Sequence, residues 1–195
     1  MNAHLRPRLL VFLIFSAWTT ASLAAWSFSL GAGGNVGVSE GQGFGPKLQW
    51  GGSGRIGFDI PITGWLAIKP GFDYAASAPS DVSGGFAYRG FQSGALSLML
   101  QARRVLAATA GLGELSGGVA LGGAAAVSVY TSTTLYFFFP EARANLFLEW
   151  RPASLPAPRF VLGLPAKMQF RRDMSLSIST GIEAGVLFPL GKENR

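Results

Sequence analysis

The sequence predicts an all-β fold, an eight-stranded antiparallel transmembrane β-barrel wound as an up-and-down meander. Three observations predict it. Between Met174 and Leu190 every even position except Thr180 is apolar, while the odd ones run Ser, Ser, Ser, Gly, Glu, Gly, Leu and Pro. Period two marks a strand with two unlike faces. Ordinary strands end after roughly 5–6 residues, whereas a tilted strand needs about 9–11 to cross a bilayer before it protrudes. Second, the chain is 49% hydrophobic, only 13% charged and carries 27 glycines, with no long apolar run beyond its N-terminus. That composition excludes a disordered solvating chain and fits an all-β chain better than a helical membrane protein. Third, the alternation recurs in eight segments, the even number that a closed antiparallel barrel with both termini on one side requires.

Taken in order, residues 1–24 read as a secretory signal peptide and 25–195 as the barrel. Arg6 and Arg8 precede the apolar core Leu9–Ala17, and small residues suited to cleavage follow in Thr19–Ala25. Without residues 1–24 the chain keeps 14 basic against 10 acidic side chains, a net +4. The basic residues are scattered singly, Arg103-Arg104 and Arg171-Arg172 being the only pairs. No nucleic-acid footprint results. The absence of cysteine removes disulfides, thiol catalysis and thiolate metal sites together.

The first strand sets Trp26, Phe28, Leu30 and Ala32 against Ser27, Ser29, Gly31 and Gly33, and a turn-rich stretch, 39–46, follows. The second runs 48–60, with Arg55 and Asp59 on its polar side. Pro61–Gly64 is a short turn. The third carries Leu66, Ile68, Pro70, Phe72 and Tyr74 against a face holding Lys69 and Asp73, and 75–90 is a longer loop. The fourth sets Leu96, Leu98, Leu100 and Ala102 against Ser97, Met99, Gln101 and Arg103. From 104 to 118 the pattern blurs, and a turn with a helical piece or an irregular strand would both fit.

The fifth strand reverses parity, with Val119, Leu121, Ala125, Val127 and Val129 apolar and small residues opposite. After Leu135–Phe139 and Pro140, the sixth places Ala142, Ala144, Leu146, Leu148 and Trp150 against Glu141, Arg143, Asn145, Phe147 and Glu149. Residues 151–158 form a proline-built turn. The seventh alternates from Phe160 to Phe170, with Lys167 on the polar side, and 171–173 lead into the last strand with Glu183.

Alternation leaves the inward face open, since a soluble lipocalin-like barrel with an oily interior shows the same period. Three features favour an oily exterior. Trp26, Phe58, Trp65, Trp150 and Phe188 fall at the strand ends nearest the termini, as an interfacial aromatic girdle requires, and Trp50, Tyr74 and Phe170 approach the other rim. Connections alternate between the short 61–64 and the longer 39–47 and 75–90; 104–118 and 171–173 break that rule. The non-apolar face is mostly Gly, Ser and Ala with isolated charges, which suits a narrow lumen better than a solvated surface.

The final strand, through Glu183, Gly185, Phe188 and Leu190, resembles the C-terminal signal by which barrel-assembly machinery recognises outer-membrane proteins: a polar residue, Gly two on, then two hydrophobics at alternate positions. Together with the secretory signal, this makes the chain similar to the small eight-stranded outer-membrane barrels of Gram-negative and spirochaete bacteria, the OmpA-transmembrane, OmpX and OmpW type. The resemblance implies the outer membrane as location, and the lipid bilayer and the assembly machinery as partners. It also implies either a narrow passive channel for small molecules, apolar ones in the OmpW manner, or a closed structural or adhesive barrel presenting loop 75–90 to a host or surface ligand. We expect the channel.

With the apolar face on lipid, the lumen receives Arg55, Asp59, Lys69, Asp73, Arg103, Glu141, Arg143, Glu149, Lys167 and Glu183, five bases and five acids. Buried charges must be paired, so an ion-pair ladder crosses the interior and either fills it or gates a thin polar path. Leu135–Phe139 either lines the outer mouth or belongs to the lipid girdle. Enzymes of this architecture rely on histidine, and the only histidine, His4, lies inside the signal. Neither a Ser-His nor an Asp-His site can be assembled, and the usual transition-metal ligands are missing; no enzyme, cofactor or metal is expected.

Overall fold

A computed structural model describes residues 26–41, 44–79, 91–130, 135–153, 158–170 and 176–190. The proposed signal, 1–24, lies outside the described residues. Eight strands follow one another: β1 (Ser27–Gly41), β2 (Phe44–Pro61), β3 (Leu66–Pro79), β4 (Phe91–Thr109), β5 (Gly113–Tyr130), β6 (Leu135–Arg151), β7 (Arg159–Phe170) and β8 (Leu176–Pro189). Each pairs antiparallel with its chain neighbours, and β1 pairs with β8 to close the barrel. Closure leaves no edge strand with unpaired backbone groups, the condition for a sheet in hydrocarbon.

The faces sort as the alternation requires. Leu96, Leu98 and Leu100 on β4, Leu146 on β6, Leu162 and Leu164 on β7 and Ile182 on β8 all point outward and are at least half exposed. Asp59, Asp73, Glu141, Arg143 and Glu149 are buried inside. A lipocalin-like arrangement would invert both sets; this barrel is of the transmembrane kind.

Several segments differ from the sequence reading. The strands run further than the turn signals suggest: β1 and β2 take up most of 39–47, and β3 continues to Pro79, so only 80–90 of the expected loop remains, and that lies outside the described residues. Residues 171–173 also lie outside them. The blurred stretch 104–118 contains no helix. It is the end of β4, a tight turn at 110–112 and the start of β5. Its pattern blurs because the β4–β5 register shifts between Val105 and Ala107; such a bulge inserts one unpaired residue and resets the facing of those beyond it. Val105 and Leu106 are consequently both exposed.

Gly113 closes this hairpin at φ +97°, a left-handed conformation open to glycine. A Cβ there would run into the Arg151 carbonyl oxygen. The Trp150 indole N–H donates to the Leu112 carbonyl at 2.9 Å and fastens the turn to β6. The turn at 62–65 is held by Leu66 N–H donating to Thr63 Oγ1 at 3.1 Å. Both short turns lie at the end of the barrel that carries the termini.

Thr180, the one polar residue in the apolar row of β8, also has a structural reason. Pro165 of β7 has no N–H to donate and the β7–β8 ladder skips it. The Thr180 hydroxyl donates to the Pro165 carbonyl at 3.0 Å.

Candidate functional site: a charged interior

The side chains that fill the barrel come mainly from β2, β3, β4, β6 and β7. Facing them, β1 contributes Ser27, Ser29, Gly31, Gly33 and Gly37, small residues that leave the cross-section free for long charged chains. The charges gather in two layers.

The layer towards the end remote from the termini centres on Arg143 of β6. Its Nη1 donates to Asp73 Oδ2 of β3 at 2.6 Å, across the lumen. Its Nε donates to Glu141 Oε2 at 2.8 Å and its Nη2 to the same oxygen at 2.5 Å. The remaining carboxylate capacity is also occupied: Ser97 Oγ donates to Asp73 Oδ2 at 2.8 Å and Gln169 Nε2 to Glu141 Oε1 at 2.6 Å. Arg55 approaches Asp73 Oδ1 at 3.7 Å and sets its Nη2 3.7 Å from Met99 Sδ.

The layer nearer the termini centres on Arg159 of β7. Its Nη1 donates to Glu149 Oε1 at 2.7 Å and its Nη2 to Ser27 Oγ at 2.7 Å, with Asp59 Oδ2 3.7 Å away. Arg103 Nη1 lies 3.5 Å from the same Glu149 oxygen and donates through Nε to the Gly64 carbonyl at 3.4 Å. Arg143, Glu141, Arg159 and Glu149 are thus paired through charge-assisted hydrogen bonds, whereas the buried Asp59 carboxylate accepts no hydrogen bond among the described residues and forms its ion pair with Arg159 alone.

All ten residues expected in the lumen are on the inward face, but only seven join an ion pair. Lys69, Lys167 and Glu183 form none among the described residues. Lys69 Nζ sits 5.9 Å from the Phe147 ring centroid, a cation–π distance. Together with Arg55 and Glu183 it lines a small cavity of about 40 Å³. Arg159 is the member that the sequence reading missed. It opens β7 at an odd position, the inward parity of that strand, one residue before the alternation starts at Phe160. The proline-rich stretch before it hid the signal. With Arg159 counted, six bases face five acids between the rims among the described residues.

Among the girdle residues, Phe58, Trp65, Trp150 and Phe188 are exposed on the outer surface near the termini, and Trp26, half-buried, precedes β1. Phe28 and Phe58 meet edge to face with ring centroids 5.8 Å apart, and Trp150 stacks on Phe160 at 5.6 Å. On β8, Glu183 and Gly185 face inward while Phe188 faces out, and Leu190, just past the strand, is exposed. The 135–139 cluster divides: Phe138 is exposed on the outside and Phe139 buried inside, and the side chains of 135–137 lie outside the described residues.

No protein-family model matches the chain, and no curated protein matches it. Solved structures do. Neisserial surface protein A superposes with a TM-score of 0.54 at 13% identity, covering 84% of this chain and 97% of that one. The attachment invasion locus protein Ail of Yersinia pestis gives 0.45 at 12%, covering 84% and 99%. The N-terminal β-barrel domain of Pseudomonas aeruginosa OprF gives 0.38 at 13%, covering 82% and 97%. The first likeness shows that this chain has the fold of a small eight-stranded outer-membrane barrel.

Proposed function

We propose that the chain is an integral outer-membrane protein whose barrel is shut by its own ion pairs, a non-catalytic structural or surface-presenting barrel. The observation that carries this reading is the Asp73–Arg143–Glu141 bridge, which joins β3 to β6 through the lumen and engages all three guanidinium nitrogens of Arg143. Arg159 repeats the bridge below it, reaching from β7 to β1, β2 and β6. Two small cavities in the interior hold about 40 Å³ each, room for one or two waters. A solute path would have to break charge-assisted hydrogen bonds in both layers, each stronger than a neutral one. The secretory pattern at 1–24 and the Glu183, Gly185, Phe188 and Leu190 pattern of β8 support export followed by insertion through barrel-assembly machinery. Contact with a host or surface ligand then falls to the connection after Pro79.

The narrow channel expected from the sequence is the second reading, favoured by the polar character of both layers. Planar-bilayer recording separates the two. The closed reading predicts no steady conductance for the wild type, and measurable conductance after Glu141→Gln or Arg143→Gln loosens the outer layer. Steady wild-type conductance would overturn it in favour of the channel.

A further inference from the structure

We infer that the hairpin joining β4 to β5 is a docking tongue on the side of the membrane that carries the termini. Its free β4 edge, residues 104–109, accepts an extended strand of a water-soluble partner, apolar at alternate positions and bearing a carboxylate that meets Arg104. This surface goes beyond the closed-barrel reading and stands whether the lumen is open or shut.

The shear of the barrel produces the tongue. Cross-strand partners followed from Ser29 of β1 through all eight strands return to β1 at Ser39, ten residues further from the terminal end. Each step between strands thus climbs by about 1.25 residues. At the height where β1 and β3 begin, β4 has come only to Arg103 and β5 to Gly117. What lies beyond them projects past the rim, by roughly 12–15 Å at about 3.3 Å per residue and a tilt near 40°. The girdle residues Trp65, Trp150 and Phe188 stand at the rim itself, which puts the tongue on the aqueous side of them.

On its β5 side the tongue is covered, because β6 stays paired with β5 down to Arg151 opposite Glu114 and the Trp150 indole holds the Leu112 carbonyl. On its β4 side it is bare. The β3–β4 ladder ends at Leu66 opposite Ala102, and the Arg103 N–H donates to the Trp65 carbonyl at 2.8 Å; past that bond, 104–109 has no backbone partner on this side among the described residues. The barrel wall has no free edge, but the tongue does. Lysine or proline ordinarily blunts such an edge, and Arg-Val-Leu-Ala-Ala-Thr contains neither. Val105 and Leu106 are instead 51% and 58% exposed in water. Arg104, exposed at the foot of the edge, has no ion-pair partner among the described residues. The bulge beyond Val105 bends the edge, which suits a short extended segment rather than a long flat sheet. A strand added antiparallel to β4 brings its C-terminal end beside Arg104, and main-chain hydrogen bonds hold it. Two other occupants fit worse. Copies in one bilayer point their tongues the same way, which sets two β4 edges parallel, the weaker ladder. Residues 191–195, Gly-Lys-Glu-Asn-Arg, offer no apolar side chain to Val105 and Leu106 and bring two bases towards Arg104.

The test is amide NMR on the purified barrel in nanodiscs of neutral lipid, with an end-blocked peptide Thr-Val-Thr-Val-Thr-Glu as the probe. The peptide should shift the amide signals of 104–109. The same peptide N-methylated at alternate residues keeps its side chains, loses half its donors and should leave those signals in place. Arg104→Glu, an exposed change that the fold tolerates, should weaken binding several-fold, and a peptide ending in Lys should restore it. Unshifted signals with the wild type, equal shifts from the N-methylated peptide, or an affinity indifferent to Arg104→Glu each overturn the proposal. Signals of 104–109 that move with barrel concentration before peptide is added would give the edge to a second copy, and signals that move on deletion of 191–195 would give it to that segment; either also overturns it.

Discussion

Arg143 carries more of the interior than any other single residue. Its guanidinium holds two carboxylates from different strands, and its side chain is 4% exposed. Removing one partner from such a set leaves uncompensated buried charge, which costs about 3–5 kcal/mol. Arg143→Gln should therefore lower the unfolding free energy in urea by about that amount. The double change Arg143→Met with Glu141→Leu should recover part of the loss, because Asp73 keeps Arg55 and no carboxylate of the layer is left unpaired. Equal stability of wild type and Arg143→Gln would mean that the Asp73 and Glu141 contacts contribute nothing. The inward position of these residues was legible from alternation alone. Which of them would pair was not, because pairing depends on the shear that brings β3 opposite β6, and no local pattern encodes that. Arg159 escaped notice for a local reason: it stands at the junction of a proline-built turn and a strand, where parity has only just begun.

At the scale of the strand, glycine and proline positions explain where periodicity fails. Pro165 interrupts the β7–β8 ladder, and the threonine that breaks the apolar row of β8 lies where its hydroxyl can serve the proline carbonyl. The bulge between Val105 and Ala107 scrambles the end of β4 in the same sense: one extra residue turns a period-two signal into apparent noise. Central strand segments were legible because both faces were sampled by several residues. Strand ends were not, because Gly, Ser and Pro near the rims read as turns although the hydrogen-bonded ladder continues through them. Gly113 is the element-scale position with least tolerance. Gly113→Ala meets both a left-handed φ and the Arg151 carbonyl, so it should destabilise the barrel by more than about 1 kcal/mol in the same urea assay. Gly111→Ala in the adjacent turn, where a Cβ meets nothing within 4 Å, should cost far less. Equal effects at the two sites would refute the close approach at Gly113.

Across the whole molecule, the barrel is an inverted globular protein. The apolar residues that a soluble domain would bury form a belt around the outside, from the Trp65, Trp150 and Phe188 end to Trp50, Tyr74 and Phe170. Exposed to water, such a belt would be penalised by roughly 25 cal/mol per Å² of apolar area, whereas hydrocarbon removes the penalty. Fold class, strand number and the sense of each face follow from composition and period two, since both are set by the solvent on each side of the sheet. The electrical state of the lumen does not, because one further arginine changes the balance.

The inverted arrangement is tested most directly by site-directed spin labelling. The chain has no cysteine, so a single nitroxide can be attached after Leu98→Cys or Ile182→Cys, at mid-strand positions 59% and 60% exposed on the outer face. In lipid vesicles both labels should collide far more often with oxygen, which concentrates in hydrocarbon, than with a water-soluble nickel chelate. Collision dominated by the nickel chelate at both positions would place this face in water and contradict the account.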